Sequence, residues 1–348
     1  MLSGFSSNVV LSKARAKYGK RLTAQNYNDL LSCQSVAEVA DYLKNQTDYG
    51  KVLSGMPQSE IHRGRLEARL RQKLLEDNAS LCRYEITVGE DFSQYFIRRN
   101  EIEQILRAVL FLDAGTPEDF LFTMPMFLMR HSRVDFKALG RIRSFDDLLG
   151  VLAHTPYQKI LEPFRPKENG WINFAGIENA LYSFLYSFMS GMIDRRTSGE
   201  TARQLGDILK SFLDLTNFIS IVRLKLYYHA NPEAIRKVLL PYGNFSEHVF
   251  DRLLACNTQE EFLSVLRSTS LGKHTLQHPH DSIGMIPQKM NFRLCRHYIN
   301  FSTHPPVVLI SYVFLNEAEM HDIVTIVEGI RYRLSPDEIR KLLVVVNY

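Results

Sequence analysis

His274, His278 and His280, with Asp281 beside them, form the one cluster of metal-binding side chains at close spacing. The His-Pro-His run falls in a Pro-interrupted loop, which does not set two ligands on one helix face, so no metal site is expected. Glu317 with Glu319, and Glu260 with Glu261, could suggest paired acid–base chemistry. Such close neighbours diverge on a helix, so capping and surface solvation account for them. Cys33, Cys82, Cys256 and Cys295 are far apart and lack CxxC spacing, which argues against a disulfide or structural zinc. Gly19-Lys20 is followed by Arg21 and lacks the upstream glycine of a phosphate-binding loop, and GxGxxG and GxSxG are absent. No cofactor is expected.

The information lies instead in the elements that would carry these residues. One pattern occurs three times, at intervals of about 110 residues. Its copies are Tyr27, Cys33, Ser35, Glu38, Val39 and Leu43; Phe136, Ile142, Ser144, Asp147, Leu148 and Leu152; and Phe250, Cys256, Thr258, Glu261, Phe262 and Leu266. Ser or Thr followed three residues later by an acid resembles a capping box, in which hydroxyl and carboxylate satisfy backbone N–H groups left unpaired at a helix start. Each copy therefore predicts a turn between two helices. Cys33 and Cys256 share a position with Ile142, so both are expected to behave as small buried hydrophobes.

A second box follows each first one: EIEQILR at 101–107, NFISIVR at 217–223 and DIVTIVE at 322–328. The template is a polar residue, an apolar one, a variable one, a polar one, then Ile, Leu or Val, and a charge. Order and separation are kept in all three copies. The chain is accordingly expected to be all-α, three tandem pseudo-repeats of one helical unit, divided as 1–115, 116–232 and 233–348.

Composition agrees with such a protein. Hydrophobic residues make up 45% and charged residues 23%, which suits a globular chain rather than a disordered one. The net charge of +4 leaves 42 basic residues nearly balanced by 38 acidic ones, too little for a strong nucleic-acid field. The cluster Lys13, Arg15, Lys17, Lys20 and Arg21 reads as a solvated helix face before it reads as a site for an acidic partner. The N-terminus lacks the pattern of a secretory signal, and a cytosolic location is expected. The longest apolar stretch, Pro305 to Leu315, falls short of the roughly 20 residues that span a bilayer.

Helical periodicity dominates between the boxes. Leu66, Leu70, Leu74 and Leu75 make one stripe, and Ile177, Leu181, Phe184, Leu185, Phe188 and Met192 another. The rings around the second stripe, with Tyr182 and Tyr186, follow the apolar face and do not alternate with cations, so core packing is expected rather than a stacking platform. Val, Ile and Tyr cluster as a strand would only near Val307–Val313 and Leu342–Val346, and no substantial sheet is expected. Pro156, Pro163, Pro166, Asn169-Gly170 and the segment Ser268–Lys289 read as turns within units.

Three stretches also carry a family resemblance. SYVFLNEAEMHDIVTIVEGIRYRLSPDEI at 311–339 closely resembles the ending of the C-subunit family of V-type and A-type rotary ATPases, whose eukaryotic members are called d subunits. NFISIVRLKLYY at 217–228 looks like its second-unit counterpart, and SNVVLSKARAKYGKRLTAQNYNDLL at 7–31 is similar to the family's first helix and capping turn. The opening differs from the eukaryotic style, which points to the bacterial or archaeal branch.

The resemblance implies a funnel-shaped helical socket on the cytoplasmic face of the membrane, peripheral to it, whose partners are the central-stalk subunits and the membrane proteolipid ring. It implies a non-catalytic rotor part that passes torque for proton or sodium transport coupled to ATP hydrolysis or synthesis. It supplies no catalytic residues. Arg107, Arg223 and Glu328, the charged ends of the second boxes, are the candidate interface residues, with an ion pair or solvated helix end as the plainer reading of each. A helical-repeat adaptor for other proteins is the competing reading, and an enzyme built on the His-Pro-His loop a third.

Overall fold

The computed structural model describes residues 2–56, 61–120, 132–166, 171–273 and 283–345. The chain is all-α, with no strand among these residues. The principal helices are α1 (Leu2–Tyr18), α2 (Ala24–Ser32), α3 (Val36–Gln46), α4 (Arg63–Cys82), α5 (Gly89–Asp113), α6 (Phe136–Leu139) and α7 (Phe145–Val151). They continue with α8 (Phe174–Arg196), α9 (Gly199–Leu226), α10 (Glu247–Ala255), α11 (Gln259–Ser268), α12 (Ile286–Phe301), α13 (Pro305–Arg331) and α14 (Pro336–Lys341).

Each first box starts a helix. Ser35, Ser144 and Thr258 are the N-caps of α3, α7 and α11, and each hydroxyl accepts the backbone N–H three residues on. Asp147 and Glu261 reach back to the cap's own N–H and complete a capping box. Glu38 lands one residue earlier, on Gln34 N at 2.8 Å. The thiols of Cys33 and Cys256 both lie against the carbonyl four residues back, on Asp29 at 3.5 Å and Arg252 at 3.2 Å. Cys256 and Ile142 are buried, while Cys33 is half-buried.

Each second box lies on one of the long helices α5, α9 and α13, and its apolar residues are buried. Ile102, Ile105 and Leu106 are in the core with Phe136, Leu139 and Leu148. Phe218, Ile221 and Val222 pack with Leu253, Phe262 and Leu266, the rings of Phe218 and Phe262 meeting edge to face. Ile323, Ile326 and Val327 close the sequence by packing with Leu30, Leu43 and Leu66. The box on α5 thus underlies the second capping turn, that on α9 the third, and that on α13 the first.

Val307–Val313 is helical rather than extended. Pro305 and Pro306 start α13 with φ already fixed and no N–H to leave unpaired. All seven residues of the run are buried, so packing on every side overrides the strand preference of its β-branched residues. Leu342 caps the end of α14, and Val346 lies outside the described residues.

Candidate functional site

The first residue of each second box, Glu101, Asn217 and Asp322, is a buried polar side chain at the same point of the pattern. Each holds backbone of a neighbouring segment. Glu101 accepts from Ser132 Oγ and Arg133 N, both at 2.8 Å, and from the Tyr157 hydroxyl at 2.6 Å. Asn217 donates to Leu240 O and accepts from Leu240 N, each at 2.8 Å. Asp322 accepts from Val344 N at 2.8 Å and Val345 N at 2.7 Å.

One turn earlier, Asp214 on α9 accepts from Asn244 N and Phe245 N at 2.9 Å. A Cβ on Gly243 would collide with this carboxylate, which is why glycine stands there. Glu319 on α13 accepts from Leu22 N and the Tyr49 hydroxyl, both at 2.8 Å. Glu319 is buried, so the expectation of surface solvation is corrected: it tethers the segment that leads into the first capping turn. Glu317 does diverge from it, toward Arg99.

Burial pushes the Asp322 carboxyl up to about 7 and that of Asp214 to about 6, against the pull of the N–H donors on each. It also raises Glu319, although Leu22 N and Tyr49 stabilise its charge.

The long helices border a half-open cavity of about 560 Å³, lined by residues of α4, α5, α8, α9, α12 and α13. Its apolar lining includes Leu74, Phe96, Phe212 and Phe314, the last two stacked with centroids 4.2 Å apart. Across it runs an ion-pair chain. Arg99 Nη1 donates to both oxygens of Glu317 at 2.8 and 2.9 Å, Arg99 Nε stands 3.5 Å from Glu103, and Arg71 stands 3.8 Å from Glu103. Burial opposes the charge on Arg99, but Glu317 and then its other neighbours hold the guanidinium above its ordinary range. Arg71 also pairs with Glu67 at 3.0 Å, so the chain of charges joins α4 to α5 and α5 to α13. His321 is exposed at the cavity's border, and partial desolvation there lowers its imidazole. Such a lining suits recognition by shape and polar contact.

Arg107, Arg223 and Glu328 are not among the residues bordering this cavity. Arg107 is half-buried on α5, lowered by burial and then by Arg71, with Glu67 and Glu103 opposing. Glu328 pairs with Arg63 at the start of α4 and with Arg331 at 3.1 Å. Arg63 also reaches Glu67 at 3.5 Å, so α4 carries charge pairs toward both Glu328 and Arg107. Arg223 is exposed, near Glu178 of α8.

The basic cluster on α1 and in the turn after it is engaged within the chain. Arg15 donates to the carbonyls of Ile299 at 2.8 Å and Ser302 at 2.7 Å, Lys17 pairs with Asp77, Lys20 pairs with Asp48, and Lys13 sits over the Tyr84 ring. Of the second stripe, Ile177, Leu181, Leu185 and Met192 are buried core, whereas Phe184 and Phe188 are half-buried and lie under the Arg98 guanidinium, 5.5 and 4.0 Å from their ring centres. His274, His278, His280 and Asp281 lie outside the described residues. Among the described residues no three His, Cys, Asp or Glu side chains stand together as metal ligands would.

The model of the ATP synthase (C/AC39) subunit family matches residues 10–342. The chain belongs to that family. Its relatives include the A-type ATP synthase C subunit of Pyrococcus furiosus, 21% identical over 95% of this chain and 88% of the relative. The corresponding C subunit of Desulfurococcus sp. is 20% identical with the same two coverages, and that of Methanosphaera stadtmanae 24% over 62% and 53%. The family match takes in all three second boxes and the long helices that bear them. None of the described helices is long and apolar enough to cross a membrane.

Proposed function

We propose that this chain is the non-catalytic rotor subunit of an A/V-type ATPase that joins the central stalk to the membrane proteolipid ring. In this reading it lies on the cytoplasmic face of the membrane and passes torque for proton or sodium transport. Three helical units, 1–115, 116–232 and 233–348, are arranged about a common axis as a socket. The observation that supports this most is the return contact: Glu319 of α13 tethers Leu22 and Tyr49, while Ile323, Ile326 and Val327 pack beneath the first capping turn. The packing of each second box beneath the next capping turn, with the third beneath the first, supports reading the arrangement as closed. Dense interior packing transmits strain with little compression, as a coupling between two rotating parts requires. The cavity between the long helices is the receiving face. Of the box-ending charges, Arg223 stands exposed and is assigned to a partner contact, whereas Glu328 is held by Arg63.

Membranes from cells lacking this chain test the reading. The proteolipid ring is expected to remain in the membrane while the nucleotide-binding head and stalk are recovered free of it. Retention of head and stalk on the ring at the normal ratio would contradict it.

A further inference from the structure

Helices α5 and α13 end in the same way, with one difference. After α5, Thr116 N bonds Phe111 O and Gly115 N bonds Leu112 O; after α13, Leu334 N bonds Gly329 O and Arg333 N bonds Ile330 O. This ending turns on one left-handed residue, which is usually glycine. Gly115 takes φ 75°, whereas Arg333 takes φ 58°. An arginine there holds a strained backbone that glycine would adopt freely. Its side chain does not offset that strain within the chain: it is exposed and makes no hydrogen bond, ion pair or ring contact among the described residues. The acids near it in sequence are engaged elsewhere or apart, Glu328 with Arg63 and Arg331, Glu338 with Ser335, and Asp337 without an ion pair to Arg333. Tyr332, beside it, is 74% exposed, and Tyr227, at the same point past the second box on α9, is 67% exposed. His229 after α9 is again a left-handed residue with a side chain, at φ 50°. The counterpart on α5, Phe111, packs against the core, and there the left-handed residue is Gly115. A side chain therefore replaces glycine at the two ends where the aromatic faces outward.

We infer that Tyr332 and Arg333 dock a carboxylate-bearing face of another protein subunit, with Arg333 gripping an Asp or Glu through two oxygens. A guanidinium carries five donors and no acceptor, in a rigid fork that matches a carboxylate, so the free group selects an anionic occupant. Tyr and Arg are also the side chains that most often dominate binding energy at protein interfaces. A lipid surface fits less well. Diffuse attraction to anionic headgroups is met by any nearby cation and gains nothing from one fixed on strained backbone, and Asp337 and Glu338 beside it weaken such a field. A directed, two-point contact does require the guanidinium at a set place. This inference rests on the proposed membership of a multisubunit complex.

Arg333→Gly separates this contact from a structural role, because it relieves the backbone while removing the guanidinium. The melting temperature of the isolated full chain is expected to rise by about 2 °C. Binding is measured to the two fractions left in cells lacking the chain, ring-bearing membranes and the head with its stalk. Affinity of the variant for one of them is expected to fall about tenfold, the scale of one hydrogen bond to a charged group. Complexes assembled with a photo-reactive benzoylphenylalanine in place of Tyr332 are expected to yield, on irradiation, an adduct with a protein subunit at a segment containing Asp or Glu. Unchanged affinity of Arg333→Gly for both fractions would overturn the inference, as would a lowered melting temperature, which marks a structural role. Adducts with lipid alone, with no protein, or with a segment free of Asp and Glu would do the same. If the wild-type chain binds neither fraction, the proposed function fails and this inference with it; wild-type binding with an unaffected variant removes only this inference.

Discussion

Asp322 shows how one buried carboxylate makes stability depend on pH. Its carboxyl titrates near 7 in the fold and near 3.8 when exposed, so the native state holds a proton that the unfolded chain releases. The stabilising contribution is complete below about pH 4 and is lost as pH rises through about 7, by up to about 4 kcal/mol. Asp322→Asn is expected to flatten this slope while costing about 1–3 kcal/mol at acidic pH, because one of the Val344 and Val345 amides loses its acceptor. Denaturant unfolding of both proteins across pH 4–8 measures the difference. Equal slopes would show that Asp322 is not the source. The head residues of the boxes were legible only as polar letters in a template. Glu101, Asn217 and Asp322 are opposite in chemistry to the apolar run they begin, and their recurrence at one position was the available sign that they hold backbone. What each holds is far away in sequence, 22 residues on for Val344 and 31 for Ser132, and no local pattern specifies it.

Capping turns are the elements most fully written in the sequence, because a cap is a contact between residues three apart. Ser144→Ala and Thr258→Ala are each expected to cost about 1 kcal/mol, read as a fall in melting temperature. A loss near zero for both would mean that surrounding packing alone sets these helix starts. The second boxes tell a different story. Their periodicity announces a buried face, yet it cannot say that α13 packs beneath a turn some 300 residues earlier. Glu319 is the case in point: beside Glu317 in sequence it reads as a surface acid, and only the fold brings Leu22 and Tyr49 to it. Glu319→Ala is expected to loosen this junction, with faster amide exchange at Leu22 and no change at Arg133, which Glu101 holds. Uniform acceleration at both amides would instead indicate general destabilisation. The β-branched run at the start of α13 misled for a related reason: burial on all sides, a tertiary property, decided against the strand.

At the scale of the molecule, the first and last parts of the chain are bound together from several directions. Arg15 of α1 caps the carbonyls that end α12, Arg99 of α5 grips Glu317 of α13, and Glu319 holds the entry to α2. In the proposed rotor, these contacts carry load between the N-terminal and C-terminal helices. In that reading the junction's integrity matters more for coupling than for ATP hydrolysis, which the proposal assigns to other subunits. The most direct measurement is the ratio of ions transported to ATP hydrolysed by reconstituted complexes carrying Glu319→Ala together with Arg99→Ala. The account predicts that hydrolysis continues while the ratio falls severalfold. An assembled complex with both substitutions and the wild-type ratio would contradict it.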